Sequence, residues 1–175
     1  DYQKIFRCAV LSSPMLQINY GKIPEPAVDI LGIYPKVKKT MDFDYAPGQG
    51  PFDPNEKVEN SCAMDRDRYD YVMNQRIADP HYRNSGGTYG WARAAHEACE
   101  RIMEHVGNIE TPILLCQAGK DTMVRLGGQD AFDRACDKVT LIRFPDSKHE
   151  LFNATDEIRE KYFESIIAYF DAYAN

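Results

Sequence analysis

Two apolar runs near the C-terminus indicate the fold class: residues 112–121 read PILLCQAGKD, and residues 139–150 read VTLIRFPDSKHE. Each run is short, rich in Leu, Ile or Val, and closed by turn-forming or polar residues, which is typical of a buried strand. A helical pattern follows each run, over Gly127–Asp137 and over Ala154–Tyr173. This strand–helix–strand–helix order predicts an α/β fold in which parallel strands carry helices on the faces of the sheet.

A third strand is predicted near the start of the chain, where residues 8–11 read CAVL and are followed by the turn residues SSP. The composition changes after it, since seven of the ten prolines fall between Pro24 and Pro80. We therefore divide the chain into three parts: a sheet strand (residues 1–16), an inserted helical cap (residues 17–108) and a C-terminal strand–helix–strand–helix unit (residues 109–175).

Two amphipathic stretches predict the helices of the cap. The first is Asp65–Ala78, and the second is Thr88–Val106. Thr88 is a candidate N-cap, because a threonine oxygen can accept a hydrogen bond from the first turn of a helix. The apolar stripe of the second helix includes Trp91 and Ile102, which we expect to pack against the core.

A parallel sheet of only three strands leaves an open apolar edge, which is a site for pairing with further polypeptide. The chain also begins with Asp1 and enters a buried strand within a few residues. We therefore expect the sheet to be completed by polypeptide outside these residues, either as a second chain or as a further segment of a longer protein.

Composition argues against several classes of function. The net charge is −6 at pH 7 and no basic stripe is present, so nucleic acid is not an expected partner. No apolar run reaches the roughly 18 residues that a membrane span needs, and peripheral contact with a bilayer stays compatible with the sequence. The five cysteines lack metal-ligand spacing and are odd in number. We therefore expect no metal, no organic cofactor and a reducing, cytoplasmic compartment.

Two polar residues stand where the C-terminal strands end. Asp121 follows the first of these strands, and His149 follows the second, 28 residues later. Because the carboxyl ends of parallel strands meet at the same edge of a sheet, we expect the two side chains to be neighbours. A carboxylate that orients an imidazole is the acid–base pair of a nucleophilic hydrolase.

Simpler interpretations exist for the same residues. A loop aspartate is commonly a turn former or a helix cap, and a loop histidine is commonly a surface residue. Asp146 is a rival to Asp121 as the orienting group, although it lies in the same loop as His149. Glu150 is expected to face solvent.

Several segments resemble the C-terminal part of the α/β-hydrolases: VLSSPML at 10–16, AGKDTMV at 118–124 and SKHELF at 147–152. The stretch GGTYGW at 86–91 is similar to the cap of the lysophospholipase L2 and monoacylglycerol lipase branch, the serine aminopeptidase-like hydrolases. The resemblance implies that Asp121 is the triad acid, that His149 is the general base, and that the insertion is a cap shaping an acyl pocket.

The resemblance also implies a nucleophilic serine in a G-x-S-x-G turn upstream of the first strand. That pentapeptide does not occur in the 175 residues, and RNSGG at 83–87 lacks the first glycine. Ser12 and Ser13 follow a strand but are not flanked by glycines. Cys116 is expected to be buried and inert, and Cys62 belongs to the cap.

We interpret the chain as the C-terminal half of a serine ester hydrolase that acts on lysophospholipids or monoacylglycerols, with the nucleophile outside the chain. One alternative is a non-catalytic module that binds lipid or a partner, for which Asp121 and His149 would be dispensable. Another is a generic α/β domain in which these two residues only cap and solvate loops.

Overall fold

The computed structural model describes residues 5–21 and 42–173. Within this part of the chain, one parallel sheet has the strand order β1 (Ala9–Ser12), β2 (Ile113–Ala118) and β3 (Val139–Phe144). It is accompanied by the helices α1 (Arg66–Ala78), α2 (Tyr89–His105), α3 (Leu126–Ala135) and α4 (Asp156–Ala172). The predicted α/β class is confirmed. Residues 22–41 of the predicted cap lie outside the described residues.

The central strand β2 is buried along its whole length, and its side chains alternate between two apolar clusters. Leu115 packs on one side of the sheet with Phe132 of α3. Leu114 and Cys116 pack on the other side with Tyr162 of α4. Helices therefore cover both faces of the sheet, which explains why β2 is a continuous apolar run rather than an alternating one.

Side-chain caps define where the two helices of the insertion begin. The Asp65 carboxylate accepts a hydrogen bond of 2.9 Å from the backbone N–H three positions later, at the start of α1. The Thr88 hydroxyl oxygen accepts the equivalent bond at 3.1 Å for α2. These caps satisfy N–H groups that have no partner within the helix. Both predicted starting points are confirmed.

The predicted core face of α2 is wrong at four of its six positions, which are exposed: Trp91, Ala94, Ala98 and Ile102. Trp91 is 52% exposed and Ile102 is 39% exposed, whereas Ala95 and Cys99 between them are buried. The Trp91 ring lies against Gly87, where an added Cβ would come within 2.7 Å of it. The indole thus covers the turn before the helix instead of entering the core.

The outer edge of β1 faces no other strand in the part of the chain that the structure describes. Within the described residues, β1 pairs with β2 alone, through the register Ala9–Ile113 to Ser12–Cys116. Ile5 and Phe6, just before the strand, are 67% and 62% exposed. The edge has the apolar, unpaired character expected from the sequence, and completion of the sheet by other polypeptide stays a prediction.

Gly119 allows the loops after β2 and β3 to approach each other. A Cβ at this position would lie 2.4 Å from the carbonyl oxygen of Pro145, which is a backbone atom that cannot rotate away. We expect Gly119→Ala to lower the free energy of unfolding by about 1–3 kcal/mol, as measured by urea denaturation. Gly107→Ala is the matched control because its Cβ would meet nothing within 4 Å. Equal losses in both variants would contradict this account.

Candidate functional site

The loop after β2 buries the carboxylate of Asp121. Its side chain is 0% exposed. One oxygen, Oδ1, accepts hydrogen bonds from the backbone N–H groups of Met123 at 2.7 Å and Val124 at 3.1 Å. These bonds fix the carboxylate from the side opposite to its second oxygen, Oδ2. The turn-forming role considered for this aspartate is therefore real, and it leaves Oδ2 available for another partner.

The loop after β3 presents His149. It turns sharply, since the N–H of Ser147 donates back to the carbonyl oxygen of Phe144 at 3.1 Å. The two loops are joined directly, because the N–H of Lys120 donates to the carbonyl oxygen of Ser147 at 2.8 Å. Ser147 itself is fully buried. This hydrogen bond between the loops holds Asp121 and His149 at one edge of the sheet.

The structure brings Asp121 and His149 into hydrogen-bond contact. The distance from Nδ1 of His149 to Oδ2 of Asp121 is 2.7 Å, and the imidazole side chain is 30% exposed. A carboxylate accepts hydrogen bonds, so Nδ1 carries the proton and Nε2 is left with its lone pair. The pair has the arrangement of an oriented general base, and its role in catalysis stays a prediction.

The electrostatics of the pair make the imidazole a stronger base. The hydrogen bond to Asp121 raises the pKa of His149 above its usual value of 6.5. Partial burial acts in the opposite direction, and the negative charge of Asp121 adds to the increase. A histidine with such a pKa can take a proton from a reacting group and hold it as an imidazolium.

Asp146 pairs with a lysine rather than with His149, and Glu150 is less exposed than the sequence predicts. Asp146 forms an ion pair of 2.8 Å with Lys120, and both side chains are mostly exposed. It therefore does not compete with Asp121 for His149. Glu150 was expected to face solvent, but it is only partly exposed and accepts a 2.8 Å hydrogen bond from Asn153 Nδ2.

A pocket of about 180 Å³ lies between the insertion and the two strand-end loops. Met123 and Glu150 line it from the loops that carry the acid–base pair, and Cys62 and Met73 line it from the insertion. Burial and the negative charge of Glu150 raise the pKa of the Cys62 thiol to about 11, so this cysteine is neutral at physiological pH. Sequence reasoning missed the pocket, since its walls come from distant segments.

Other candidate nucleophiles are unsuited to that role. Cys116 is fully buried in β2, and burial raises the pKa of its thiol to about 11. Ser13 is 3% exposed and has a φ of 44°, a left-handed conformation that is costly for a residue with a side chain. The serine of RNSGG, Ser85, is exposed and belongs to the insertion rather than to the end of a strand.

Neither a metal site nor a membrane span is found in the described residues. Within residues 5–21 and 42–173, no group of three His, Cys, Asp or Glu side chains is placed to hold a metal ion. Across the same ranges, no helix has the length and the hydropathy that crossing a bilayer requires. Peripheral contact with a bilayer stays a prediction.

Sequence comparisons find proteins similar to this chain. A family model described as serine aminopeptidase, S33, matches residues 1–156. Lysophospholipase L2 of Escherichia coli strain K12 is 27% identical over 137 residues, which are 73% of this chain and 39% of that protein.

Two solved structures have a similar fold. A soluble variant of the monoglyceride lipase of Saccharomyces cerevisiae, in complex with a substrate analogue, gives a TM-score of 0.68 at 14% identity. The match covers 99% of this chain and 55% of that one. The monoacylglycerol lipase of Paleococcus ferrophilus gives 0.65 at 18% identity, over 95% of this chain and 59% of that one. The chain thus spans 39% to 59% of the length of these relatives.

Proposed function

Because this chain belongs to the serine aminopeptidase S33 family and has an α/β-hydrolase fold, we propose that it supplies the acid and the base of a serine ester hydrolase. Asp121 is the acid and His149 is the general base. The observation that carries the proposal is the 2.7 Å contact between Oδ2 of the buried carboxylate and Nδ1 of the imidazole. The family alone does not assign these roles, since function depends on the site and not on the fold.

The nucleophile in this proposal is a serine from polypeptide outside these 175 residues. A strand added beside the open edge of β1 would end at the same edge of the sheet as β2 and β3. A serine in the turn after such a strand would then lie on the same side as Asp121 and His149. The absence of G-x-S-x-G from the sequence supports this assignment.

The chemistry follows from the lone pair on Nε2 of His149. The serine hydroxyl attacks the carbonyl carbon of the ester while Nε2 takes the hydroxyl proton. The imidazolium is stabilised by Asp121 and returns its proton to the alcohol oxygen as the ester C–O bond breaks. A water molecule then attacks the acyl-serine with the same base, releasing the fatty acid and restoring the serine.

We propose lipid-like esters, namely lysophospholipids or monoacylglycerols, as the substrates. The proposal is supported by the names of the relatives, a lysophospholipase and two lipases of monoacylglycerols. It is also supported by the pocket, which combines apolar walls at Met73 and Met123 with polar groups at Glu150. In this view residues 17–108 form the cap, whose Cys62 and Met73 line the pocket together with Met123 and Glu150 of the strand-end loops.

The direct test is labelling by a fluorophosphonate, which phosphonylates only a serine activated by a neighbouring base. The full-length protein that carries this chain is treated and then measured by denaturing intact-mass spectrometry. We expect one adduct, on a segment that contains G-x-S-x-G, and no adduct in the His149→Ala variant. Absence of an adduct in the wild-type protein would overturn the proposal and favour the lipid- or partner-binding module.

A further inference from the structure

Lys148, directly before His149, has its ammonium group held by the insertion. Its Nζ donates to the carbonyl oxygens of Glu59 and Ser61 at 3.0 Å each, and lies 3.4 Å from that of Val58. These carbonyls surround the end of a 3₁₀ turn, Val58–Asn60. An ammonium group has three N–H donors and no acceptor, so three carbonyl oxygens use its full capacity. Each bond is strengthened by the charge of the donor.

Backbone bonds attach the same two segments on the other side of His149. The N–H of Glu150 donates to the carbonyl oxygen of Cys62 at 3.2 Å. The N–H groups of Met64 and Asp65 donate to the carbonyl oxygen of Asn153 at 2.9 and 3.1 Å. His149 is therefore flanked by contacts to residues 58–65, which we call the clamp segment. The His149 side chain contacts Asp121 rather than the clamp segment.

We propose that Lys148 is a positioning residue, which anchors the His149 loop to the clamp segment so that Nδ1 stays on Asp121. This inference rests on the proposed function. Lys148 does not touch the reacting atoms in this account. It acts through His149, by removing the freedom of the loop to carry the imidazole away from the buried carboxylate.

The titration of His149 separates positioning from a simple effect of charge. Removing a nearby positive charge would by itself raise the pKa of an imidazole, because it makes protonation easier. Loosening the contact with Asp121 would lower that pKa, because this contact is the main cause of its increase. The two explanations therefore predict shifts of opposite sign.

The experiment compares Lys148→Met with Lys148→Arg in the full-length protein. We expect Lys148→Met to lower kcat for a monoacylglycerol by about 10- to 100-fold with KM changed by less than about twofold, since small errors in geometry cost this much. The pKa of His149, followed by NMR of ¹⁵N-labelled histidine, should fall towards 6.5. Lys148→Arg keeps a cation with several donors, so it should restore most of kcat and the raised pKa.

Lys161→Met is the matched control. Lys161 lies on α4, and its ammonium pairs with the exposed carboxylate of Glu157 rather than with backbone carbonyls of the clamp segment. Such an exposed pair is screened by water, so this variant should keep the kcat and the His149 pKa of the wild type. Thermal unfolding of each variant confirms that it is folded at the assay temperature. If Lys148→Met is unfolded there, Lys148→Gln replaces it under the same criteria.

A Lys148→Met protein with unchanged kcat, or with a His149 pKa that is unchanged or higher, would overturn the inference. An equal loss in Lys161→Met would also overturn it. Failure of the proposed function is distinguishable, because a wild-type protein without hydrolysis or fluorophosphonate labelling rejects the function alone. The NMR titration needs no turnover and would still decide whether Lys148 holds His149 on Asp121.

Discussion

His149→Ala should abolish ester hydrolysis, lowering kcat by roughly 10⁶-fold in the full-length protein. The reason is that Nε2 of His149 is the only atom of the pair that can take the serine proton, while Asp121 is buried behind it. The measurement is the hydrolysis of a monoacylglycerol and of a lysophospholipid under saturating conditions, which reports kcat directly. Both substrates should lose turnover together, because both depend on the same base.

His105→Ala is the control for this variant. His105 is an exposed residue at the end of α2, outside the pocket and the strand-end loops. Its replacement should leave kcat and KM as in the wild type. If His149→Ala retained more than about a thousandth of the wild-type kcat, the assignment of His149 as the general base would be wrong.

Asp121→Asn should lower kcat by roughly 10⁴-fold while leaving the fold intact. The amide oxygen of asparagine can still accept from the N–H groups of Met123 and Val124, as Oδ1 does now. Its NH₂ group would then face Nδ1 of His149 and donate to it. The imidazole proton would be forced onto Nε2, which could no longer accept the serine proton. The variant therefore tests the tautomer separately from the position of the ring.

The pH profile of the same variant has a defined sign. In the wild type, the pKa of His149 is raised above 6.5 by its bond to Asp121, and the base works only when neutral. The rate should therefore rise with pH through a midpoint above 6.5. Asp121→Asn removes the main cause of the increase, so the residual activity should rise at a lower pH. Asp146 is the rival carboxylate, and Asp146→Asn should keep the wild-type midpoint of the pH profile. If the midpoint fell in Asp146→Asn and not in Asp121→Asn, the roles of the two aspartates would be reversed.

The strand-end rule explains why the acid–base pair could be found from the sequence. A run of buried residues in a parallel strand is visible locally, because both faces must be apolar. The order of the runs then places Asp121 and His149 at one edge of the sheet without any knowledge of distance. Glu150 shows the limit of this reasoning, since nothing near it in sequence indicates that Asn153 and the insertion would enclose it.

Sequence patterns alone were enough to predict the α/β class, the three strands, the cap at Thr88 and the proximity of Asp121 to His149. All of these depend on patterns a few residues long or on the direction of parallel strands. The pocket and the anchoring of Lys148 became visible only in the three-dimensional structure. The carbonyls that hold this lysine lie 87 to 90 residues before it, in an insertion whose path no local pattern encodes. Such contacts arise from the packing of the whole insertion against the sheet, because hydrophobic burial is non-directional and does not specify its partner in advance.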